Sequence, residues 1–374
     1  MKVLMISTDW RIAVLGSREH ARMQSYASVT EELHIIVFTQ KNQGLAISSA
    51  DNLFIYPTNS LSRWSYGIGA YFISERLKKI GITMVTAQDP FETGLVAYKI
   101  SKKFSVSLQL QVHTDFLSPY YATESSKNRL RVKIADRIIP KANCLRVVSV
   151  RLQKGLMERY GLKKEPLVLP IHHGIPVSLL SIRRDLLKTK YPQFAKIAVM
   201  ISRLETEKNI FMALNAFKNI SNKYRGVGLV IVGDGSMRAQ LEKAVIALEL
   251  EDEVVFDGWH EDAIPYFLSA DLFLNVSNYE GYGRTLIEAA ASGCPIVTTN
   301  VGVVGEAINS ENALISPPQD LEAFQNNFEY ALNHPEAMKE LAIKARQAVA
   351  SEIAVSESDR LAIIKSSWEK CSKK

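Results

Sequence analysis

The chain has 374 residues, of which 47% are hydrophobic and 22% charged, with a formal net charge of +6. This is ordinary globular composition, without low-complexity stretches, and the length suits two domains of common size. No apolar run reaches about 18 residues, so no membrane span is expected. Cys144, Cys294 and Cys371 are too widely spaced for a metal site or a disulfide framework, which fits a reducing compartment.

In MKVLMISTDWRIAVLGSRE, Asp9 and Arg11 interrupt the apolar core that a signal peptide needs. The segment reads as a first strand and loop, and the protein as cytoplasmic. Strand-like runs follow at Val3–Ile6, Leu33–Phe38, Met84–Ala87, Leu108–Val112 and Leu145–Val150. The second half repeats the rhythm at Ile197–Ile201, Gly228–Val232, Val254–Phe256, Leu272–Val276, Pro295–Thr298 and Ala313–Ile315. Continuous apolar strands separated by helical patterns predict parallel sheets covered on both faces. KVLMIS at 2–7 and KIAVMISR at 196–203 each read as the first strand of a doubly wound, Rossmann-like α/β domain. The reading assigns 1–180 to an N-terminal domain, 181–355 to a C-terminal domain and 356–374 to a terminal helix. The linker falls between Pro176 and Pro192. Leu361, Ile364 and Trp368 recur at helical spacing, so the terminal helix has an apolar face available to pack back on the first domain.

Charge is unevenly placed. Residues 1–184 hold 26 Lys and Arg against 13 Asp and Glu, a net +13, and residues 185–374 hold 19 against 26, a net −7. The densest basic stretch runs from Lys127 to Glu165 and includes Arg131, Arg146 and Arg159. It reads either as a solvated helical face or as a surface for anionic headgroups or a phosphorylated acceptor. No aromatic-interleaved basic motif favours nucleic acid.

In doubly wound sheets ligands sit beyond the carboxyl ends of the strands, and with two such domains the natural site is the cleft between them. After the strand ending at Ile201, Thr206 is expected to cap a helix, which puts Lys208 in its first turn, with Arg203 on the loop before it. Arg284 stands at the start of a second helix. Cations there oppose the helix dipole unless an anion neutralises them, and a diphosphate would do so. The alternative is that Lys208 and Arg284 face water or pair with Glu205 or Glu207. Gly281 and Gly283 bracket a loop whose amides a ligand can approach closely. Glu288 lies a turn inside an apolar helix, and a buried carboxylate there needs donors, which the two hydroxyls of a ribose supply. Its alternative is an ion pair with a neighbouring cation.

Glu280, seven intervening residues and Glu288, within EGYGRTLIEAAASGCPIV, resemble the signature of glycosyltransferase family 4. ISRLETEK at 201–208, IVGDGSMRAQLEKAV at 231–245 and VVFDGW at 254–259 resemble other segments of that family. The resemblance spans most of 196–333 and is thinner in the first half. It implies a retaining transferase with two facing Rossmann-like domains, the GT-B arrangement. By the resemblance, Arg203 and Lys208 hold the donor diphosphate and Glu280 contacts the transferred sugar. Gly281, Tyr282, Gly283, Arg284 and Thr285 present the loop and helix start to the donor. Glu288 grips the ribose, and Phe256, Gly258 and Trp259 lie near the base. His113 in QVHTDF resembles the family's histidine near the sugar, and Gly16 its N-terminal glycine loop. The sequence departs from the pattern at the lone Gly16, at Val303 in GVVGE and at His173 in HHGIP. These departures bear on acceptor geometry and donor sugar more than on the fold.

The expected reaction is transfer of a sugar from a nucleotide diphosphate donor, UDP- or GDP-linked, to an acceptor hydroxyl with retention. Preorganised cations and amides stabilise the leaving phosphate, and that phosphate assists deprotonation of the acceptor. No metal and no cofactor are expected. The acceptor is a glycan or a lipid-linked molecule. The basic N-terminal half favours an anionic one and allows a peripheral position at the inner membrane face. A sugar-nucleotide epimerase of the same fold and a non-catalytic nucleotide-sugar-binding subunit are the alternatives. A dehydrogenase is disfavoured, since no Gly-x-Gly-x-x-Gly follows a strand.

Overall fold

The computed structural model describes residues 1–170 and 186–372, which fall in two compact units: Met1–Pro170 with Ser356–Lys374, and Ile171–Val355. HHGIP and most of the expected linker, with the 180/181 boundary, lie outside the described residues.

The first unit runs β1 (Lys2–Ser7), α1 (Arg18–Ala27), β2 (Glu32–Val37), β3 (Ser48–Ala50), β4 (Leu53–Pro57), α2 (Tyr66–Leu77), β5 (Met84–Ala87) and α3 (Glu92–Phe104). It continues with β6 (Ser107–Val112), α4 (Pro119–Glu124), α5 (Ser126–Ile138), β7 (Cys144–Val147), α6 (Val150–Tyr160) and β8 (Leu167–Val168). Its sheet has the order β3-β4-β2-β1-β5-β6-β7-β8, parallel except for the edge strand β3. The predicted strand at 145–150 ends early, because Ser149 caps α6 by accepting from the Leu152 amide. The strands β3, β4 and β8 have no counterpart in the sequence reading. β3 and β8 are short edge strands, too brief for a periodic signal.

The second unit holds α7 (Leu186–Lys190), β9 (Lys196–Ile201), α8 (Ile210–Lys223), β10 (Val227–Val232), α9 (Arg238–Ala247) and β11 (Val254–Gly258). Then come α10 (Ile264–Ser269), β12 (Leu272–Asn275), α11 (Arg284–Ser292), β13 (Ile296–Thr299), β14 (Leu314–Ser316), α12 (Leu321–Asn333) and α13 (Pro335–Ile353). All pairings in the sheet β11-β10-β9-β12-β13-β14 are parallel. Every residue of β10 is buried, as a strand covered on both faces requires. Phe217, Phe324 and Phe328 fill one side of this core, each worth roughly 1.5–3 kcal/mol on burial.

The last helix, α14 (Glu357–Ser372), returns to the first unit. Ile364 and Trp368 are buried in one cluster with Val3, Met5, Met23 and Ile35. The Trp368 indole donates to Gln109 Oε1 at 3.1 Å and meets the Tyr26 ring edge-on. This docking overturns one expectation. Cys144, opening β7, and Cys371, in the last turn of α14, form a disulfide, with Cα atoms 5.8 Å apart. The partners are 227 residues apart in sequence, so no spacing rule could pair them; the return of α14 does. Cysteine usage therefore gives no support to a reducing compartment.

The basic stretch from Lys127 is not one solvated face. Arg131 pairs with Glu92 at 3.0 Å and Arg159 with Asp136 at 2.9 Å. Arg146 is buried on β7, where it donates to Gln111.

Candidate active site at the carboxyl edge of the second sheet

In the second unit the chain leaves β9 for β10 and β11 on one side, then returns to β12 on the other side of β9 before β13 and β14. Connections that diverge from neighbouring strands open a crevice at their carboxyl ends. The loops that meet there are residues 202–208 and 276–283, which carry the predicted donor-site residues of this unit except Phe256, Gly258, Trp259 and those on α11.

The first loop is pinned by its neighbour after β10. Leu204 donates its amide to Asp234 O and accepts from the Met237 amide, both at 2.9 Å. A Cβ on Gly233, whose φ is +141°, would lie 1.8 Å from Ser202 O. The glycine in VGDG therefore serves close backbone packing. Thr206–Lys208 forms a single tight turn, and Asn209, at φ 49°, opens α8. Thr206 is thus not the helix cap: asparagine takes the left-handed conformation more readily than threonine, so the helix starts three residues later than its nearest capping residue suggested. Lys208 lies before the helix, and the dipole argument made for it no longer applies.

Its side chain has another anchor. Lys208 Nζ donates to Glu280 Oε1 at 2.5 Å, joining the two loops, with the side chains 13% and 15% exposed. Ser277 Oγ donates to the same oxygen at 2.9 Å, and the Asn278 amide donates to Glu207 O at 2.8 Å. The other two cations are also paired: Arg203 with Glu207 at 2.8 Å, and Arg284 Nε with Glu288 Oε1 at 2.6 Å. Arg203 is 73% exposed and Arg284 about half. Glu288 is buried, and burial raises its pKa above the ordinary carboxylate value, with Arg284 opposing.

The glycine loop is built from behind. Gly283, at φ +85°, is the residue before α11, which begins at Arg284 and has Thr285 second. The buried Tyr282 side chain points away from the loop edge, its hydroxyl donating to Glu352 Oε2 on α13 at 2.7 Å. Tyr282 O accepts from the Val303 amide at 2.8 Å, and a Cβ on Gly302 would strike that oxygen at 2.2 Å. Val303, a departure from the family pattern, is fully packed. Glu352 and the 302–303 contact escaped sequence reasoning. Glu352 is 70 residues from Tyr282, on a helix with no motif of its own.

At the end of β11, Phe256 is partly buried under the Arg238 guanidinium, 5.3 Å from its ring centre. Gly258 has φ +77° and its carbonyl accepts from the Gly233 amide at 2.7 Å; Trp259 is exposed.

Gly16 and His113 belong to the first unit. Gly16, at φ +80°, precedes Ser17, which caps α1 by accepting from the His20 amide. His113 follows β6, with Nε2 3.1 Å from Gln111 Oε1. Burial, then the nearby Arg146 and Arg22, lower its pKa to about 3. Its ring is therefore neutral near pH 7, suited to hydrogen bonding rather than to carrying charge.

Residues 184–348 match the family model described as Glycosyl transferases group 1. Mannosylfructose-phosphate synthase of Agrobacterium fabrum is 30% identical over 231 residues, covering 57% of this chain and 50% of that protein, so the match spans half of that relative's length. Among solved structures, sucrose-phosphate synthase from Thermosynechococcus elongatus superposes with a TM-score of 0.79 at 18% identity, over 99% of both chains. The Anabaena protein Alr3699/HepE in complex with UDP-glucose does so with 0.72 at 19% identity, over the whole of both chains. The fold is that of the GT-B glycosyltransferases, and residues 184–348 are similar in sequence to group 1 glycosyl transferases.

Proposed function

We propose that this chain is a retaining, family 4 glycosyltransferase that moves a sugar from a UDP- or GDP-linked donor to an acceptor hydroxyl, independently of metal. The observation that carries the reading is the Lys208–Glu280 pair. It joins the two loops at the switch point of the second sheet, beside Arg203 and the start of α11.

The ion pairs leave the cations able to bind phosphate. An ammonium has three donors and a guanidinium five, while each cation spends only one or two on its carboxylate. The carboxylates fix where the remaining donors point. As the bond between the anomeric carbon and the phosphate oxygen breaks, negative charge gathers on the leaving diphosphate, where Lys208, Arg203 and the α11 amides receive it. The acceptor oxygen forms the new bond on the same face, and its proton passes to the departing phosphate oxygen. Glu280, held by Lys208 and Ser277, is placed to accept from sugar hydroxyls. Glu288 accepts from Arg284 at Oε1, and its second oxygen is the acceptor for a ribose hydroxyl. In the first unit, His113 is neutral and suited to hydrogen bonding only. Phe256, Gly258 and Trp259 form the base side.

The UDP-glucose complex of the Anabaena protein supports a UDP-linked donor. The acceptor is a glycan or a lipid-linked molecule, and the net +13 of residues 1–184 supports an anionic one and a peripheral place at the inner membrane face. A thermal-shift screen of nucleotide diphosphate sugars tests the donor site, since ligands that bind the folded state raise its melting temperature. NMR of the anomeric proton in donor and product tests retention. A flat screen, or an inverted product, refutes the respective part.

A further inference from the structure

The α2 helix is apolar on both sides. Ala70, Ser74 and Leu77 pack inward, while Ile68 and Phe72 on the opposite face are 62% and 65% exposed. Helices apolar all round are normally covered. Just before it, Trp64 is 92% and Leu61 86% exposed. Ile68 and Phe72 are four residues apart and share one stripe of α2, and Trp64 lies in the short turn before the helix. Arg63 stands at one end of this stripe, and Arg76, Lys78 and Lys79 at the other, all exposed. The only acid between Leu61 and Lys79 is Glu75, and it is ion-paired with Lys103 of α3, whose ammonium also sits 4.5 Å from the Tyr71 ring centre. The patch thus combines large apolar side chains with cations that make no ion pair among the described residues.

We propose that this face of α2 seats the protein on an anionic lipid bilayer, with Trp64, Ile68 and Phe72 in the headgroup–acyl boundary and the flanking cations on the headgroups. Tryptophan and an apolar helical face over basic flanks suit that boundary. The cations favour lipid over a second copy of the chain. A two-fold self-contact sets the same patch against itself, bringing like charges together. The helix is already formed and anchored by its inner face, so seating it requires no folding. The proposal deepens the acceptor reading above, since a lipid-linked acceptor is presented at such a surface. Its test does not involve turnover and so stands or falls separately.

The test is co-sedimentation of the full chain with phosphatidylcholine vesicles, with and without roughly one-third phosphatidylglycerol. The wild type should partition onto the anionic vesicles at least about tenfold more strongly than onto the neutral ones, with brominated lipid quenching part of its tryptophan emission. The double variant I68S/F72S should lose at least about tenfold of that partitioning with an unchanged melting temperature, because both side chains lie outside the core. R76E/K79E should lose a similar amount on anionic vesicles only. Wild-type protein that stays in the supernatant overturns the proposal, as does an I68S/F72S variant that sediments like the wild type. Sedimentation velocity showing that I68S/F72S converts a dimer to a monomer, without vesicle binding by the wild type, would overturn it in favour of a second copy.

Discussion

Replacing Lys208 with methionine keeps the stem and removes the charge, and the structure sets two separable costs. The first is structural. Glu280 is left mostly buried with the Ser277 hydroxyl but without its cation, a loss of about 1–3 kcal/mol. In a unit of this size each kcal/mol is roughly 2–4 °C in melting temperature. The second is catalytic. Removing one preorganised donor from a leaving oxyanion costs about 2.7–4 kcal/mol, or roughly 10²–10³ in kcat. The double variant K208M/E280Q separates them: with no charge left unpaired, most of the melting temperature should return, while kcat should not. Initial rates of donor turnover and calorimetric melting on the wild type, the single and the double variants form the assay. A single variant within about threefold of wild-type kcat, under ~1 kcal/mol, refutes the role given to Lys208. A double variant that regains activity together with stability also refutes it, because the lysine would then be structural.

Further expectations concern charge and the terminal helix. Glu288→Gln should weaken nucleotide binding about tenfold by calorimetric titration, the loss of one charged hydrogen bond. Because burial raises the Glu288 pKa in the fold, the wild type loses stability as pH rises above 4.5 through the raised value. E288Q melts at neutral pH should therefore be no lower than wild type, since the exposed half of Arg284 stays hydrated. His113, lowered to about 3, should show a neutral ring by nitrogen-detected NMR down to about pH 4. Its contribution to stability is full above 6.5 and falls as pH drops from there towards 3; a ring that titrates near 6.5 contradicts its burial. Reducing Cys144–Cys371, which closes a sequence separation of 227 residues, should lower the stability of the first unit by up to about 5 kcal/mol. C371S should melt identically with and without reductant. Trp368→Ala, at a fully buried position, should cost about 3–5 kcal/mol in denaturant melts.

The sheets were legible because their central strands are short, apolar and buried on both faces, and such runs stand out whatever surrounds them. The edge strands β3 and β8 are too short to show a period. The loop after β9 was misread at one point only: Thr206 is a good cap by type, yet Asn209 could take the left-handed turn that the path to α8 requires. Glu280, Glu288 and the glycine loop were singled out through their mutual spacing. What holds them was not, because Glu352, Gly302 and Val303 meet the loop only through the fold. Arg146 counted as one more surface cation until β7 placed it inside. The exposed face of α2 was also invisible in the sequence, where Ile68 and Phe72 look like the core residues that most such side chains are.

The most direct test of the account is calorimetric titration of the intact chain with UDP- and GDP-sugars, repeated on K208M and E288Q. The account predicts saturable binding of at least one of these donors by the wild type, weakened about tenfold or more in both variants. Binding that survives both substitutions unchanged, or no binding of any nucleotide diphosphate sugar, would contradict it.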